Sequence, residues 1–306
     1  MKLLRPFALL AILLSFLCVP IHAAHADGEA PLRLAYVNWK TEVASANLIK
    51  AVVETRYDRP CVLTEMSPRE MWASVAEGRQ DVLVGAWLPR TQADYYREFG
   101  SKVDDLGANL AGAQLGLVVP DVNVGRLPNE TGQRNAPYIP VTSIPELKKY
   151  AKRFDGRIIG IDPGAGVMHR TREALQVYGL DNMRLVEGDE DTMLEELSRA
   201  IQRQEWIVVT GWTPHWMFGV WKLRMLEDPK GVFGTAESIH TIARKGLERD
   251  MPDVYEFLDH FHWTPKEMGL LMTWIELDDG LDPYGKALRW VETHPAQVNS
   301  WIGRRP

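Results

Sequence analysis

Cysteine is almost absent from this chain of 306 residues: only Cys18 and Cys61 occur. Cys18 falls in a leader-like first segment, so the remaining chain cannot form an internal disulfide and must be stable by packing alone. Cys61, in the strand-like run CVLTEM, reads as a small core residue rather than a reactive thiol. Positive charge is also in short supply, with 35 Lys and Arg against 41 Asp and Glu and a net charge of −6. An acidic chain without a basic cluster excludes nucleic acid as the natural partner. Beyond the leader, no apolar run is long enough to cross a bilayer. The signatures of hydrolytic and metal chemistry are missing as well. No HExxH pair, Cys/His metal spacing or nucleophile elbow accompanies His215 or His240. Both histidines therefore read as structural, and no enzyme activity, cofactor or metal is expected.

What is present begins with an address. Lys2 and Arg5 precede an apolar stretch, Phe7 to Pro20, that is too short to span a membrane comfortably. Ala24-His25-Ala26 then offers small residues where a signal peptidase reads, so cleavage is expected after Ala26. Leu17 stands where a small residue would precede a lipidated Cys18, which argues against a lipoprotein. Removing residues 1–26 takes away two basic residues and no acidic ones, leaving a net charge of −8 on an exported chain.

Strand and helix signals then alternate. LRLAYV, CVLTEM and DVLVGAW read as strands, with helices over Thr41–Tyr57 and MWASVAEG between them. RIIGID, MRLVEG and WIVVTGW repeat the plan, with a helix over Val167–Tyr178 and another opened by Asp189, Glu190, Asp191 and Thr192. Acidic and hydroxyl residues suit a helix start, where they meet free N–H groups and the positive dipole end. That explains the Asp189–Asp191 run better than a metal loop does. Such alternation implies an α/β fold, with parallel-rich sheets flanked by helices. The segment Asn123–Val141, rich in Gly, Pro and Asn, reads as a surface insertion. The tail after Arg249 reads as helical.

A repeat runs through this pattern. VLVGAWLP (82–89) returns as IVVTGWTP (207–214), so that Trp87 and Trp212 lie 125 positions apart. The same offset sets LAYVNW (34–39) on IGIDPG (159–164) and GLVVP (116–120) on TIARK (241–245). Two similar halves follow: lobe one is assigned to residues 27–118 and 236–306, lobe two to 119–235. GLVVP and TIARK are expected to be the two hinge crossings.

Ligands of open α/β sheets bind beyond the carboxyl ends of the strands. Trp39, Trp87 and Trp212 all stand at such ends. At Trp39's repeat position the second half has Gly164, in the turn Gly164–Val167 that runs into a helix and offers backbone N–H groups to an anion. Aromatic faces at one end and an anion nest at the other suit a small zwitterion with a weakly hydrated cation. A quaternary ammonium has no N–H to donate. Indole faces hold it through their quadrupole and dispersion, at about 0.5–2 kcal/mol per contact. By pattern alone, these three tryptophans fit core packing equally well. The other tryptophans read as core or surface anchors, with Trp216 placed to support the site from behind.

The motifs VNWKTEVAS, VGAWLP, GIDPGAGVM, TGWTPHWMF, LEDPK and ESIHTIARKG together resemble the glycine betaine-binding proteins of osmoprotectant ABC importers. The resemblance implies a two-lobed periplasmic-binding-protein fold of type II and a periplasmic location. It also implies docking on a membrane permease served by a cytoplasmic ATPase. In that family a prism of three tryptophans surrounds the trimethylammonium, matching Trp39, Trp87 and Trp212. Two backbone N–H groups matching Gly166 and Val167 hold the carboxylate, with help from a histidine. Here that position is Gln92, which donates without carrying charge. Proline betaine, carnitine, choline and sulfonium analogues remain alternative ligands. A periplasmic enzyme acting on methylated amines, or a sensory receptor domain, is the rival from another class.

Overall fold

In a computed structural model of the protein, residues 29–123, 132, 134 and 136–302 are described. The expected leader, with Cys18 and the cleavage point after Ala26, lies outside the described residues.

The chain opens with three strand–helix units: β1 (Leu32–Tyr36) and α1 (Lys40–Arg56), β2 (Cys61–Glu65) and α2 (Pro68–Ala76), β3 (Val82–Leu88) and α3 (Ala93–Phe99). α1 is buried over most of its surface, Thr41, Glu42, Ser45 and Asn47 as well as Leu48, Ile49, Val52 and Val53, because it packs between strands and later helices. A long strand, β4 (Val103–Pro120), and a short helix, α4 (Leu147–Tyr150), lead into the second set. That set comprises β5 (Arg157–Ile159), α5 (Gly166–Val177), β6 (Arg184–Val186), α6 (Glu190–Arg203) and β7 (Val209–Thr213). The Asp189 carboxylate caps α6 by accepting the Thr192 N–H at 2.7 Å, so the acidic run is a helix start. α7 (Met217–Val220), β8 (Leu223–Met225) and β9 (Glu237–Arg244) follow. The tail is helical, as its pattern implies: α8 (Leu247–Asp250), α9 (Pro252–His260), α10 (Pro265–Glu276), α11 (Pro283–Thr293) and α12 (Pro295–Trp301). α10 and α11 pack on α1. Trp72, Trp263, Trp290 and Trp301 are core residues, and Trp290 stacks on Trp301 with ring centroids 5.6 Å apart.

The strands follow one path, β2-β1-β3-β9-β4-β7-β5-β6, with β8 beside β4. β2–β1–β3 and β6–β5–β7 are parallel, whereas β9 and β4 run antiparallel to their neighbours. Outward from the middle, β9, β3, β1 and β2 mirror β4, β7, β5 and β6. The 125-residue repeat is thus laid out as two matching halves that meet at β4 and β9.

The crossings differ from the sequence expectation. β4 pairs with β9 over Val103–Ala113, then with β7 and β8 over Gln114–Pro120. The changeover therefore falls at Ala113–Gln114, because Leu115 and Leu117 are already tied to Trp212 and Thr210 of β7. Thr241–Arg244 lies wholly inside the first half, paired to β3 and β4, and the second crossing lies between Met225 and Glu237. The supposed surface insertion also needs correcting at its end. Tyr138, Ile139 and Val141 are buried, and Arg224 ties their backbone down by donating to the Ile139 and Val141 carbonyls at 2.8 and 3.0 Å. Residues 124–131, 133 and 135 of that segment lie outside the described residues.

Candidate functional site

Each half ends a central strand in the repeated Trp-x-Pro phrase. Trp87 closes β3 and Trp212 lies near the end of β7. The following Leu88–Pro89 and Thr213–Pro214 bonds are both cis, so the two copies share backbone form as well as sequence. Trp39 caps α1 just beyond β1. All three indoles line one cavity, together with Gln92, Gly166 and Val167. The structure therefore brings all six sequence-predicted residues to one place. The three rings are buried, yet among the described residues none makes a ring contact with another. The space between them is the cavity.

Two of the rings are held from behind. The Trp39 Nε1–H donates to Asp162 Oδ2 at 2.9 Å, from the opposite half. Trp212 meets His215 edge-on at 4.9 Å. The Met217 N–H donates to His215 Nδ1 at 3.1 Å, so Nε2 is the protonated nitrogen and donates to Glu190 Oε1 at 2.8 Å. His215 is thus a structural support. Trp216 stacks on His215 at 6.0 Å and reaches the site only through it. His240 is also structural, paired with Asp105 at 2.8 Å.

The opposite end of the cavity is the start of α5. Gly166 and Val167 are its first two residues, whose N–H groups have no acceptor within the helix and point out of its positive end. Gly166 is required there by space. A Cβ would lie 2.1 Å from Thr91 Cγ2 and 2.8 Å from the Thr91 carbonyl oxygen. Thr91 is fixed in turn by Glu237, whose carboxylate accepts from the Arg90 and Thr91 N–H groups and the Thr91 hydroxyl. Gln92 is buried at the same wall. Its Oε1 accepts the Trp72 Nε1–H at 2.8 Å.

The halves also touch around the cavity. The Lys40 N–H donates to Glu190 Oε2 at 3.0 Å, and Lys40 Nζ lies 2.8 Å from Asp191 Oδ1. The Tyr95 hydroxyl donates to the Gly164 carbonyl at 3.3 Å. Just behind Trp39, Glu42 is wholly buried. Burial pushes its carboxyl up to about 8, against the opposing bond from the Val37 N–H at 2.8 Å. It therefore brings little negative charge to the site at neutral pH. Sequence reasoning missed several contributors. Thr41, Thr91, Leu115, Ile161 and Ala165 complete the lining, and Asp162, Glu190 and Glu237 hold it. Asp162 and Ala165 stood inside the quoted GIDPGAGVM motif. Glu237 stood in ESIHTIARKG and Glu190 in the helix-start run, with nothing to mark their targets.

The fold is a two-lobed periplasmic-binding-protein architecture, with the cavity where the halves face each other. Residues 30–293 match the family described as the substrate binding domain of ABC-type glycine betaine transport systems, and the chain belongs to that family. Over 156 residues it is 44% identical to the glycine betaine/carnitine transport binding protein GbuC of Listeria monocytogenes serotype 1/2a (strain 10403S). That match covers 50% of this chain and 51% of GbuC, so the chain spans about half the length of that relative. Lactococcal OpuAC, solved closed with glycine betaine, superposes with a TM-score of 0.79 at 36% identity, over 90% of this chain and 100% of that one. An ABC-transporter choline-binding protein, solved with choline, gives a TM-score of 0.76 at 26% identity, over 89% and 91% of the two chains. No helix among the described residues is long and apolar enough to cross a membrane.

Proposed function

We propose that this chain is an exported solute-binding protein that captures glycine betaine and delivers it to an ABC permease served by a cytoplasmic ATPase. Trp39, Trp87 and Trp212 enclose the trimethylammonium group. The Gly166 and Val167 amides and the Gln92 side chain hold the carboxylate. The observation that carries this reading is the cavity itself: three buried indoles from both halves line one space without a ring contact among them, together with two helix-start amides that have no acceptor within their helix. Three cation–π contacts of about 0.5–2 kcal/mol each, plus the anion end, reach the roughly 8 kcal/mol of a micromolar complex. The two lobes close on the ligand about their crossings. No bond of the ligand is made or broken.

Choline is the second reading, because a similar fold has been solved with it and an aromatic cage is indifferent to what the ammonium carries. It ranks lower because it would leave the amides of α5 without a partner. Proline betaine, carnitine and sulfonium analogues keep the carboxylate and stay within the first reading.

Calorimetry of the mature protein against this panel tests the proposal. Micromolar binding of glycine betaine, weaker choline, and at least tenfold loss in Trp87→Ala are expected. Absence of heat with every quaternary amine at millimolar concentration would overturn it.

A further inference from the structure

We infer that Trp72, which does not line the cavity, is a positioning residue: its indole N–H locks the Gln92 amide so that Gln92 can only donate to the ligand. The inference rests on the proposed betaine site and names how its anion end is built.

Trp72 sits on α2, wholly buried. It is kept in place by an edge-on contact with Tyr96, with ring centroids 6.1 Å apart. An indole N–H is a donor and nothing else, so the end of the Gln92 amide that faces it must be the carbonyl oxygen. The chemistry of the partner thus settles an orientation that an amide alone leaves open. The backbone of Gln92 is fixed too: its N–H donates to the Trp87 carbonyl at 3.0 Å, and its carbonyl accepts the Tyr96 N–H at 3.0 Å. Among the described residues, nothing accepts from Gln92 Nε2, and Gln92 lines the cavity beside Gly166 and Val167. The spare NH₂ is therefore a third donor for an anion there. Turning the amide over would set two donors against each other at Trp72 and aim a carbonyl lone pair at the ligand carboxylate, so the reversed state loses both interactions.

Among the four core tryptophans Trp72, Trp263, Trp290 and Trp301, the pairing is particular to Trp72. Trp263, Trp290 and Trp301 are equally buried in the first half, yet their Nε1 atoms have no partner among the described residues. A buried N–H in this core need not be satisfied. Of these four, the one whose N–H is paired among the described residues reaches a cavity residue.

Trp72→Phe keeps an aromatic ring and removes the N–H. Glycine betaine should bind about fivefold to tenfold more weakly to Trp72→Phe than to the native protein. The same change made in Gln92→Leu should alter affinity less than twofold, because there is no amide left to orient. General damage to packing would persist in both backgrounds, and that result overturns the inference, as does unchanged affinity in the single variant. Gln92→Glu covers the case in which Trp72→Phe fails to fold. Its carboxylate still accepts from Trp72 but turns an oxygen toward the ligand, and a loss of at least tenfold is expected. Native affinity in Gln92→Glu would sink the inference. Failure of the native protein to bind any quaternary amine would instead sink the proposed function beneath it.

Discussion

Glu42 is a carboxyl buried without a cation. Its Oε2 accepts the Val37 N–H, its Oε1 has no partner among the described residues, and it presses on Gly85, where a Cβ would lie 2.3 Å from Oε1. Burial is the main reason its pKa rises from 4.5 to about 8, and the nearby Glu190 adds to the rise. A proton held more tightly in the folded state stabilises that state at low pH. The contribution is therefore complete below about pH 4.5 and lost as pH rises through about 8. Glu42→Gln should abolish this loss. Relative to the native protein, its stability in urea should climb by about 1.4 kcal/mol per pH unit between pH 5.5 and 7.5 and level off above pH 8. Parallel stability profiles for the two proteins would show that Glu42 ionises without penalty.

The N-terminus of α5 is the element on which the proposed anion end depends. Two amides and a missing side chain make it, and Thr91 from the other half fills the space a Cβ would need. Gly166→Ala should therefore hold the halves apart and weaken glycine betaine by at least a hundredfold, with the folded circular dichroism spectrum retained. Binding within threefold of native would mean that Thr91 yields easily. Much of this element was legible in the sequence: GAGV ahead of a helical pattern marked the nest, and the repeated Trp-x-Pro phrase marked two strand ends. What could not be read were partners at long separation. Trp39 to Asp162 spans 123 positions, Thr91 to Glu237 spans 146, and no local pattern encodes either pairing. The first half of β4 was also hidden. Its sequence VDDLGANLAGA carries Gly107 and Gly112 at positive φ, and its register against β9 shifts three times, so the alternation that betrays a strand is broken. GLVVP, its regular end, reads as a strand, but the crossing lies just before it, at Ala113–Gln114.

At the scale of the whole molecule, duplication explains the site's economy. Two copies of one strand end bring two indoles to the same cleft, and the divergent third position supplies an indole in one half and a glycine turn in the other. Lys40 then bridges from Asp191 in the second half to Glu276 in the first, the latter at 3.4 Å, and stands next to Trp39. This bridge between the halves and the proposed cage are therefore adjacent in sequence. In the proposed site, indoles from both halves grip a positive charge rather than an apolar shape. The most direct measurement compares glycine betaine with 3,3-dimethylbutanoate, which keeps the carboxylate and the three methyl groups but replaces the cationic nitrogen with carbon. Competition calorimetry should find the neutral-headed analogue at least tenfold weaker, since each cation–π contact is worth about 0.5–2 kcal/mol. Equal affinity for the two would contradict the account.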